Sequence, residues 1–236
     1  MVERLPMATV TALRAGGAGA AIGVLDLQGG VVEHLDHLAR LGLRGIPVKK
    51  EEDFAALAGL IIPGGESTCL ARLLRIFGLR EVILREFARG MKIWGTCAGA
   101  ILLAREVIGD APFFGLIDIR LERNSFGSQL DSFKTEADVP QVSPERMPLT
   151  FIRAPKILSA GPGVRILLAL DDYIAAAEND GVLVTAFHPE LTGCLAFHRY
   201  FALKCGLRPS VEAFSSIDTS WDMRSWTRRA PRVIRG

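Results

Sequence analysis

Along residues 20–105 the chain repeats one pattern: a short apolar run, a turn, and then apolar residues spaced three or four positions apart. The apolar runs predict buried strands, and the wider spacing predicts helices with one buried face. Strands that alternate with helices are typical of a mostly parallel sheet covered on both faces. The predicted strands are residues 22–28, 45–49, 59–62 and 91–94, and the predicted helices are residues 31–41, 67–77 (with Ser67 as the cap) and 79–88.

The second half of the chain has short apolar segments with few residues between them, which favours strands joined by tight turns. These strands predict an antiparallel extension or a mixed sheet. The fold class is therefore α/β: a three-layer sandwich whose mostly parallel, mixed sheet is flanked by helices. The predicted segments are strands at 117–121, 150–153, 165–170, 173–177 and 182–187, an exposed loop at 135–148, and a closing helix at 195–205.

We find no internal repeat and no linker, so the pattern predicts a single domain at residues 21–207. An N-terminal extension (1–20) precedes it and a basic C-terminal extension (208–236) follows it. Pro6 and several glycines interrupt the first twenty residues, which argues against a signal peptide. The arginines of the C-terminal extension indicate a solvated tail, with a contact to a partner or a nucleic acid as the alternative.

Composition narrows the function classes. In 236 residues, 49% are hydrophobic, which is enough for a sizeable core. The net charge of +2 argues neither for nor against nucleic acid, and we predict no nucleic-acid partner. No apolar run reaches the roughly 18 residues that a membrane helix needs, so we predict no membrane association. The cysteines lack metal-ligand spacing, which predicts no metal site and reduced thiols in the cytoplasm, with structural roles for Cys69, Cys194 and Cys205.

The segment Gly95-Thr96-Cys97-Ala98-Gly99 places a cysteine between two glycines, after an apolar run and before a helical pattern. This order of strand, sharp turn and helix is the pattern of a nucleophile elbow. The N–H groups exposed where a helix begins favour the thiolate, which is the reactive form of cysteine. We therefore predict Cys97 to be a nucleophile and not a small core residue.

His188 follows a predicted strand, and Glu190 comes two residues later. Side chains at i and i+2 of an extended chain point to the same side, so the carboxylate can reach the imidazole. We predict His188 as the general base and Glu190 as the residue that orients it, as in a catalytic triad. The other histidines lie on helical patterns and are predicted to be surface residues: His34, His37 and His198.

The segment Pro63-Gly64-Gly65 ends a predicted strand on the same side of the sheet as Cys97. Two glycines allow a peptide to present its N–H group inward, as an oxyanion hole requires, and a plain turn is the alternative. We predict Gly65 and Ala98 to form that hole. Arg123 and Arg153 each end a predicted strand, and a guanidinium matches a substrate carboxylate, although isolated arginines are more often surface ion-pair members.

Several motifs together resemble one family, the glutaminase subunits of pyridoxal 5′-phosphate synthase, which are class I (triad-type) glutamine amidotransferases with a flavodoxin-like fold. The elbow around Cys97 and the His188-Pro189-Glu190 segment mark the superfamily. Three further segments narrow the resemblance to this family, and the similar region covers about residues 20–203. These segments are Gly64-Gly65-Glu66-Ser67-Thr68, Arg123-Asn124-Ser125-Phe126-Gly127 and Ile152-Arg153-Ala154-Pro155.

The resemblance implies that Cys97 attacks the side-chain amide of L-glutamine, that ammonia leaves, and that water releases glutamate from a thioester. It implies a separate (β/α)₈ synthase subunit as partner, an ammonia tunnel, and a complex of twelve copies of each subunit. The pyridoxal phosphate is the product of that complex, so no cofactor is expected here. The implied glutamine-binding positions are Gly65, Glu66, Ser67, Arg123, Ile152 and Arg153.

Two other interpretations stay open from the residues alone. The nucleophile elbow alone does not identify the substrate, so a hydrolase of another γ-glutamyl or peptide bond is the first alternative. A non-catalytic binding subunit with an inactive site is the second. The complete set of Cys97, His188 and Glu190 argues against the second alternative.

Overall fold

The computed structural model describes residues 20–123 and 132–210. The predicted extensions lie almost wholly outside these residues, so the domain boundaries stay a prediction. The helices are α1 (Val31–Arg40), α2 (Ser67–Ile76), α3 (Leu79–Ala88), α4 (Ala98–Leu103) and α5 (Ala196–Lys204). The strands are β1 (Ala21–Leu25), β2 (Gly45–Val48), β3 (Leu57–Ile62), β4 (Lys92–Thr96), β5 (Ala104–Val107), β6 (Ile117–Glu122), β7 (Phe133–Ala137), β8 (Met147–Phe151), β9 (Lys156–Ala160), β10 (Arg165–Leu170), β11 (Tyr173–Glu178) and β12 (Val182–Thr185).

Ten of the strands form one mixed sheet, in the order β2-β1-β3-β4-β12-β11-β9-β6-β5, with β10 paired to β11. Neighbours from β2 through β12 are parallel, as the alternation of strands and helices predicted. Beyond β12 the pairs β12–β11, β11–β9 and β9–β6 are antiparallel. The mixed sheet and the change at mid-chain were therefore both predicted correctly.

The sheet is covered on both faces, which confirms the three-layer sandwich. Along β3, Leu60 and Ile62 belong to one core cluster and Ile61 belongs to the other, as the two-residue period of a strand requires. The first cluster includes residues of α2, α3 and α4, and the second includes residues of α1 and α5. Trp94, fully buried, packs in the second cluster against Phe201 of α5.

The second half differs from the prediction in its details. Strands β5, β7 and β9 were not predicted, because their apolar runs are short or broken by charged residues. The segment 135–148 was predicted as an exposed loop, and this is wrong in part. Its first residues belong to β7, which pairs with β8 in a separate hairpin, and Val139 is fully buried within it.

Within residues 20–123 and 132–210, no helix has the length and apolar character that crossing a bilayer requires.

Candidate active site

Cys97 lies at the turn between β4 and α4, where the elbow was predicted. Its backbone has φ 47° and ψ −102°, a conformation that a non-glycine residue rarely adopts and that costs about 1–3 kcal/mol. The Cys97 N–H donates to the carbonyl oxygen of Thr185 in the adjacent parallel strand, at 2.8 Å. This bond between neighbouring strand ends holds the turn in place and leaves the thiol at the carboxyl edge of the sheet.

The glycines of the elbow serve close packing. A Cβ at Gly99 would lie 2.1 Å from the carbonyl oxygen of Ile62 in β3, and one at Gly95 would lie 2.5 Å from the carbonyl carbon of Gly99. Both distances are far below ordinary van der Waals contact. Helix α4 therefore lies directly against the sheet, and this brings its N-terminus up to Cys97.

His188 follows β12, and its backbone N–H donates to the carbonyl oxygen of Thr150 in β8 at 2.8 Å. Its Nδ1 lies 2.8 Å from Oε1 of Glu190, which is buried. The predicted pairing of the two side chains is present, but the predicted extended backbone is wrong. Pro189–Leu191 form a short 3₁₀ helix, and this tight turn brings the carboxylate back to the imidazole.

Gly64 packs closely against both His188 and Cys97. A Cβ at this position would lie 2.4 Å from His188 Cε1 and 3.3 Å from Cys97 Cβ. Burial lowers the pKa of His188, but the charges of Glu190 and Cys97, and hydrogen bonds with both, raise it well above 6.5. This environment favours the imidazolium form of His188 beside Cys97.

The turn at Gly64-Gly65 directs the Gly64 carbonyl oxygen toward Gly29. A Cβ on Gly29 would lie 1.8 Å from the Gly64 carbonyl oxygen, so this oxygen faces Gly29. In a trans peptide the N–H points opposite to the C=O, and the Gly65 N–H therefore points away from Gly29. Gly65 has φ +150° and lines the cavity beside Cys97.

Glu66 caps α2, which corrects the prediction that Ser67 is the cap. Its carboxylate accepts from the backbone N–H groups of Thr68 at 3.1 Å and Cys69 at 2.6 Å. The bond from Cys69 is the main cause that lowers the pKa of Glu66. Ser67 is the first residue of the helix and is buried against the cavity. The carboxylate therefore stays charged at the cavity mouth.

Arg123 extends over the same mouth and is held by three side chains. It forms an ion pair with Asp110, donates to Thr68 Oγ1 at 3.2 Å, and lies 3.7 Å from Glu66 Oε1. The four residues that follow Arg123 in its predicted motif, 124–127, lie outside the described residues.

Ile152 and Arg153 follow β8 on the opposite side of the cavity. The Cys97 thiol donates to the Ile152 carbonyl oxygen, with 3.9 Å between the heavy atoms. Arg153 has φ 45°, a second strained non-glycine residue at this site. No ion pair to Arg153 is present among residues 20–123 and 132–210, so its guanidinium is available to an anion.

One cavity of about 150 Å³ brings these side chains together. A thiol, an imidazole with its carboxylate, and two guanidinium groups at one cavity can support acyl transfer on a small substrate that carries a carboxylate. The lining residues are Gly65, Glu66, Ser67, Cys97, Ile101, Arg123, Ile152, Arg153 and His188.

The model of the SNO glutamine amidotransferase family matches residues 24–206. The chain belongs to this family. The predicted resemblance is confirmed, and with it the predicted class of activity, a glutamine amidotransferase.

Similar proteins support the same assignment. The chain is 62% identical over 213 residues to "Pyridoxal 5′-phosphate synthase subunit PdxT" of Syntrophus aciditrophicus (strain SB), an alignment covering 90% of this chain and 95% of that protein. The protein of that name from Clostridium beijerinckii is 48% identical over 181 residues, covering 76% of this chain and 95% of that protein. A crystal structure of a glutamine amidotransferase matches with a TM-score of 0.75 and 39% identity, over 80% of this chain and all of that one.

Several residues of the amidotransferase site were not found from the sequence. Asp110 and Thr68 hold Arg123, Gln28 accepts from the Glu66 N–H at 3.4 Å, and Thr185 anchors the elbow. Each acts through a contact between separate segments of the chain, and the sequence does not show these contacts, although Thr68 lies within one of the quoted motifs.

The three histidines predicted at the surface are buried, so that prediction is wrong. Helix α1 turns His34 and His37 toward α5, where His198 lies between them. Their spacing of three residues was correctly taken as helical, but it does not show which face of the helix is buried. Within the described ranges, no group of three or more His, Cys, Asp or Glu residues is arranged to hold a metal ion.

Proposed function

We propose that this chain hydrolyses L-glutamine to glutamate and ammonia as the glutaminase subunit of pyridoxal 5′-phosphate synthase. The observation that carries the proposal is the single cavity in which Cys97, His188 and the two arginines converge. The name shared by the similar proteins from Syntrophus and Clostridium supports the choice of complex.

The first half-reaction forms a thioester. The Cys97 thiolate attacks Cδ of glutamine, and the oxygen of the tetrahedral intermediate receives hydrogen bonds from the N–H groups of Gly65 and Ala98. His188 gives its proton to the amide nitrogen, the C–N bond breaks, and ammonia leaves. Glu190 keeps the imidazole ring in the orientation that this transfer needs.

The second half-reaction restores the enzyme. His188, now neutral, takes a proton from water, and the hydroxide attacks the thioester carbonyl. The C–S bond breaks, glutamate leaves, and the sulfur returns to the thiolate that faces the imidazolium. The same two N–H groups stabilise both tetrahedral intermediates, so one oxyanion hole serves both steps.

The substrate is held by the charged groups around the cavity. Arg153, which has no ion-pair partner among the described residues, receives the α-carboxylate of glutamine. Arg123 and Glu66 stand at the mouth, where their opposite charges suit the α-carboxylate and the α-ammonium group. The small volume of the cavity fits one free amino acid better than a peptide.

The ammonia is passed to a separate (β/α)₈ synthase subunit, in a complex of twelve copies of each. The stoichiometry and the tunnel come from the family resemblance. The cytoplasmic location and the lack of a nucleic-acid or membrane partner are predictions from the cysteines, the charge and the apolar runs of the sequence. No cofactor of its own is needed, because each step above uses only side chains, backbone and water.

The test measures glutamate and ammonia release by the purified chain, alone and with a candidate synthase subunit. We expect the synthase to raise the rate, and Cys97→Ala to lower it by roughly 10⁴-fold or more. Cys194→Ala serves as the matched control and should keep the wild-type rate, because this half-buried thiol lies outside the cavity. Equal rates for wild type and Cys97→Ala would overturn the proposal. Hydrolysis of γ-glutamyl peptides without a partner would instead favour the alternative hydrolase.

A further inference from the structure

Three buried histidines form a row of contacts that ends at Glu190 of the candidate triad. His34 Nδ1 lies 2.8 Å from His198 Nε2, and His37 Nδ1 lies 3.0 Å from His198 Nδ1. His34 then faces Glu190, which contacts His188 with its other oxygen. All four histidines of the sequence therefore belong to one connected group around a single carboxylate.

The contact between His34 and Glu190 joins two buried atoms that have no hydrogen-bond partner among the described residues. His34 Nε2 and Glu190 Oε2 face each other at 3.6 Å. A buried donor or acceptor without a partner is strongly disfavoured. A movement of about half an ångström would bring these two atoms within hydrogen-bond distance and satisfy both.

A hydrogen bond donated by His34 to Glu190 would determine the ring protons of all three histidines. If His34 donates from Nε2, its Nδ1 must accept, and His198 therefore carries its proton on Nε2. Nδ1 of His198 then accepts from Nδ1–H of His37. In this set every N–H points toward Glu190, and no ring needs a second proton.

The surroundings of His34, His37 and His198 favour their neutral forms. Burial is the main cause that lowers the pKa of each ring: it lowers that of His34, brings that of His37 to about 4, and puts that of His198 well below 6.5. Glu190 stays charged, because interactions with His34 and then His188 outweigh its burial and lower its pKa to about 2. The charged and titratable groups that face the cluster are Asp36, Arg40, Glu190, His188 and, beyond His188, Cys97.

We propose that His34 is a positioning residue of this active site, which donates from Nε2 to Glu190 Oε2 and so fixes the carboxylate that orients His188. His198, which contacts His34 Nδ1 directly, holds His34 in the required tautomer. The role in turnover rests on the proposed glutaminase function. The geometry itself is tested without glutamine.

The first experiment follows alkylation of Cys97 by iodoacetamide across a pH series, measured on the Cys97 peptide by mass spectrometry. His34→Asn keeps a polar group near Nδ1 but loses the donor to Glu190. We expect its alkylation midpoint to rise by at most roughly one pH unit, because a Glu190 that has lost this contact orients the His188 imidazolium beside Cys97 less well. Glu190→Gln should shift the midpoint in the same direction and further. His34→Gln, which places an amide nitrogen near Nε2, should stay close to wild type.

His37→Asn is the matched control, because the same substitution there keeps a donor to His198 Nδ1. We expect no shift from it. An unchanged midpoint in folded His34→Asn, or equal shifts from His34→Asn and His37→Asn, would overturn the proposal. With the synthase present, we also expect His34→Asn to lower kcat/KM roughly 10-fold, as for residues that orient other functional histidines.

A second experiment uses unmodified protein, in case the His34 variants do not fold. Long-range ¹H–¹⁵N spectra of the labelled chain report the tautomer of each ring. We expect neutral His34 with its proton on Nε2, and a proton on Nδ1 of His34 would refute the proposal. If both experiments agree with expectation while wild type and synthase together release no glutamate, the proposed function fails and the positioning role stands.

Discussion

Gly64→Ala is the substitution that tests the active-site geometry most directly. Gly64 has no left-handed φ, so alanine is acceptable to the backbone. The added Cβ would lie 2.4 Å from His188 Cε1, whereas ordinary van der Waals contact begins at about 3.4 Å. The imidazole must therefore move by about 1 Å, or the turn must move by the same amount.

A displacement of this size acts on catalysis more than on binding. It lengthens the 2.8 Å bond from His188 to Glu190 and moves the ring relative to the sulfur. A misplacement of about 1 Å costs roughly 10²-fold in rate, which corresponds to about 2.7 kcal/mol in the barrier. We expect kcat for glutamine hydrolysis with the synthase to fall by this factor, while KM changes little because both arginines keep their places.

Gly161→Ala is the control, because it introduces an equally close contact elsewhere. Its Cβ would lie 2.1 Å from Asp118 Oδ2, the end of a flexible side chain outside the cavity. We expect Gly161→Ala to keep the wild-type kcat. Thermal melts check that Gly64→Ala and Gly161→Ala both fold. A folded Gly64→Ala variant with wild-type kcat would refute the inferred contact between Gly64, His188 and Cys97.

Two further substitutions test the stability of the fold. Gly99→Ala puts a Cβ 2.1 Å from a backbone oxygen that cannot move aside, so we expect a loss of roughly 1–3 kcal/mol in the free energy of unfolding; an unchanged Tm would contradict it. Glu178 is buried and accepts from Arg165, Tyr200 and Lys204, so Glu178→Gln should cost roughly 1–3 kcal/mol at pH 7. Burial raises the pKa of Glu178, but these three bonds lower it below 4.5. Because the folded pKa is depressed, the stabilisation is present above pH 4.5 and is lost as the pH falls through the folded value. Urea melts should therefore show the difference between wild type and variant shrinking toward pH 3, and an equal difference at pH 7 and pH 3 would count against this account.

The parallel half of the fold could be predicted because its signals are local. Strands β1 and β3 are continuous apolar runs, and the helices α1 and α2 that follow them each have one apolar face. The elbow was predictable for the same reason, since strand, turn, cysteine and helix follow directly in the sequence. Its position at the sheet edge then followed from the rule that parallel strands end on one side.

The parts that were missed depend on contacts between distant segments. Strands β7 and β9 contain charged or polar residues that leave only short apolar runs, and pairing with a partner strand defines them. The burial of His34 depends on α5, which is more than 150 residues away in the sequence. The cap of α2 was misplaced by one residue, because Ser67 and Glu66 both have side chains able to accept from the first turn.

The backbone strain at Cys97 and Arg153 coincides with the candidate active site. Cys97 and Arg153 have positive φ angles, a conformation that glycine adopts with less strain. The other non-glycine residues with positive φ among the described residues, Ala56 and Asp171, lie in turns outside the cavity. The stability of the fold does not require a thiol or a guanidinium at these two strained positions. Two of the four non-glycine residues with positive φ in the described ranges therefore line one cavity, and there the strained backbone belongs to a residue with a thiol and a residue with a guanidinium.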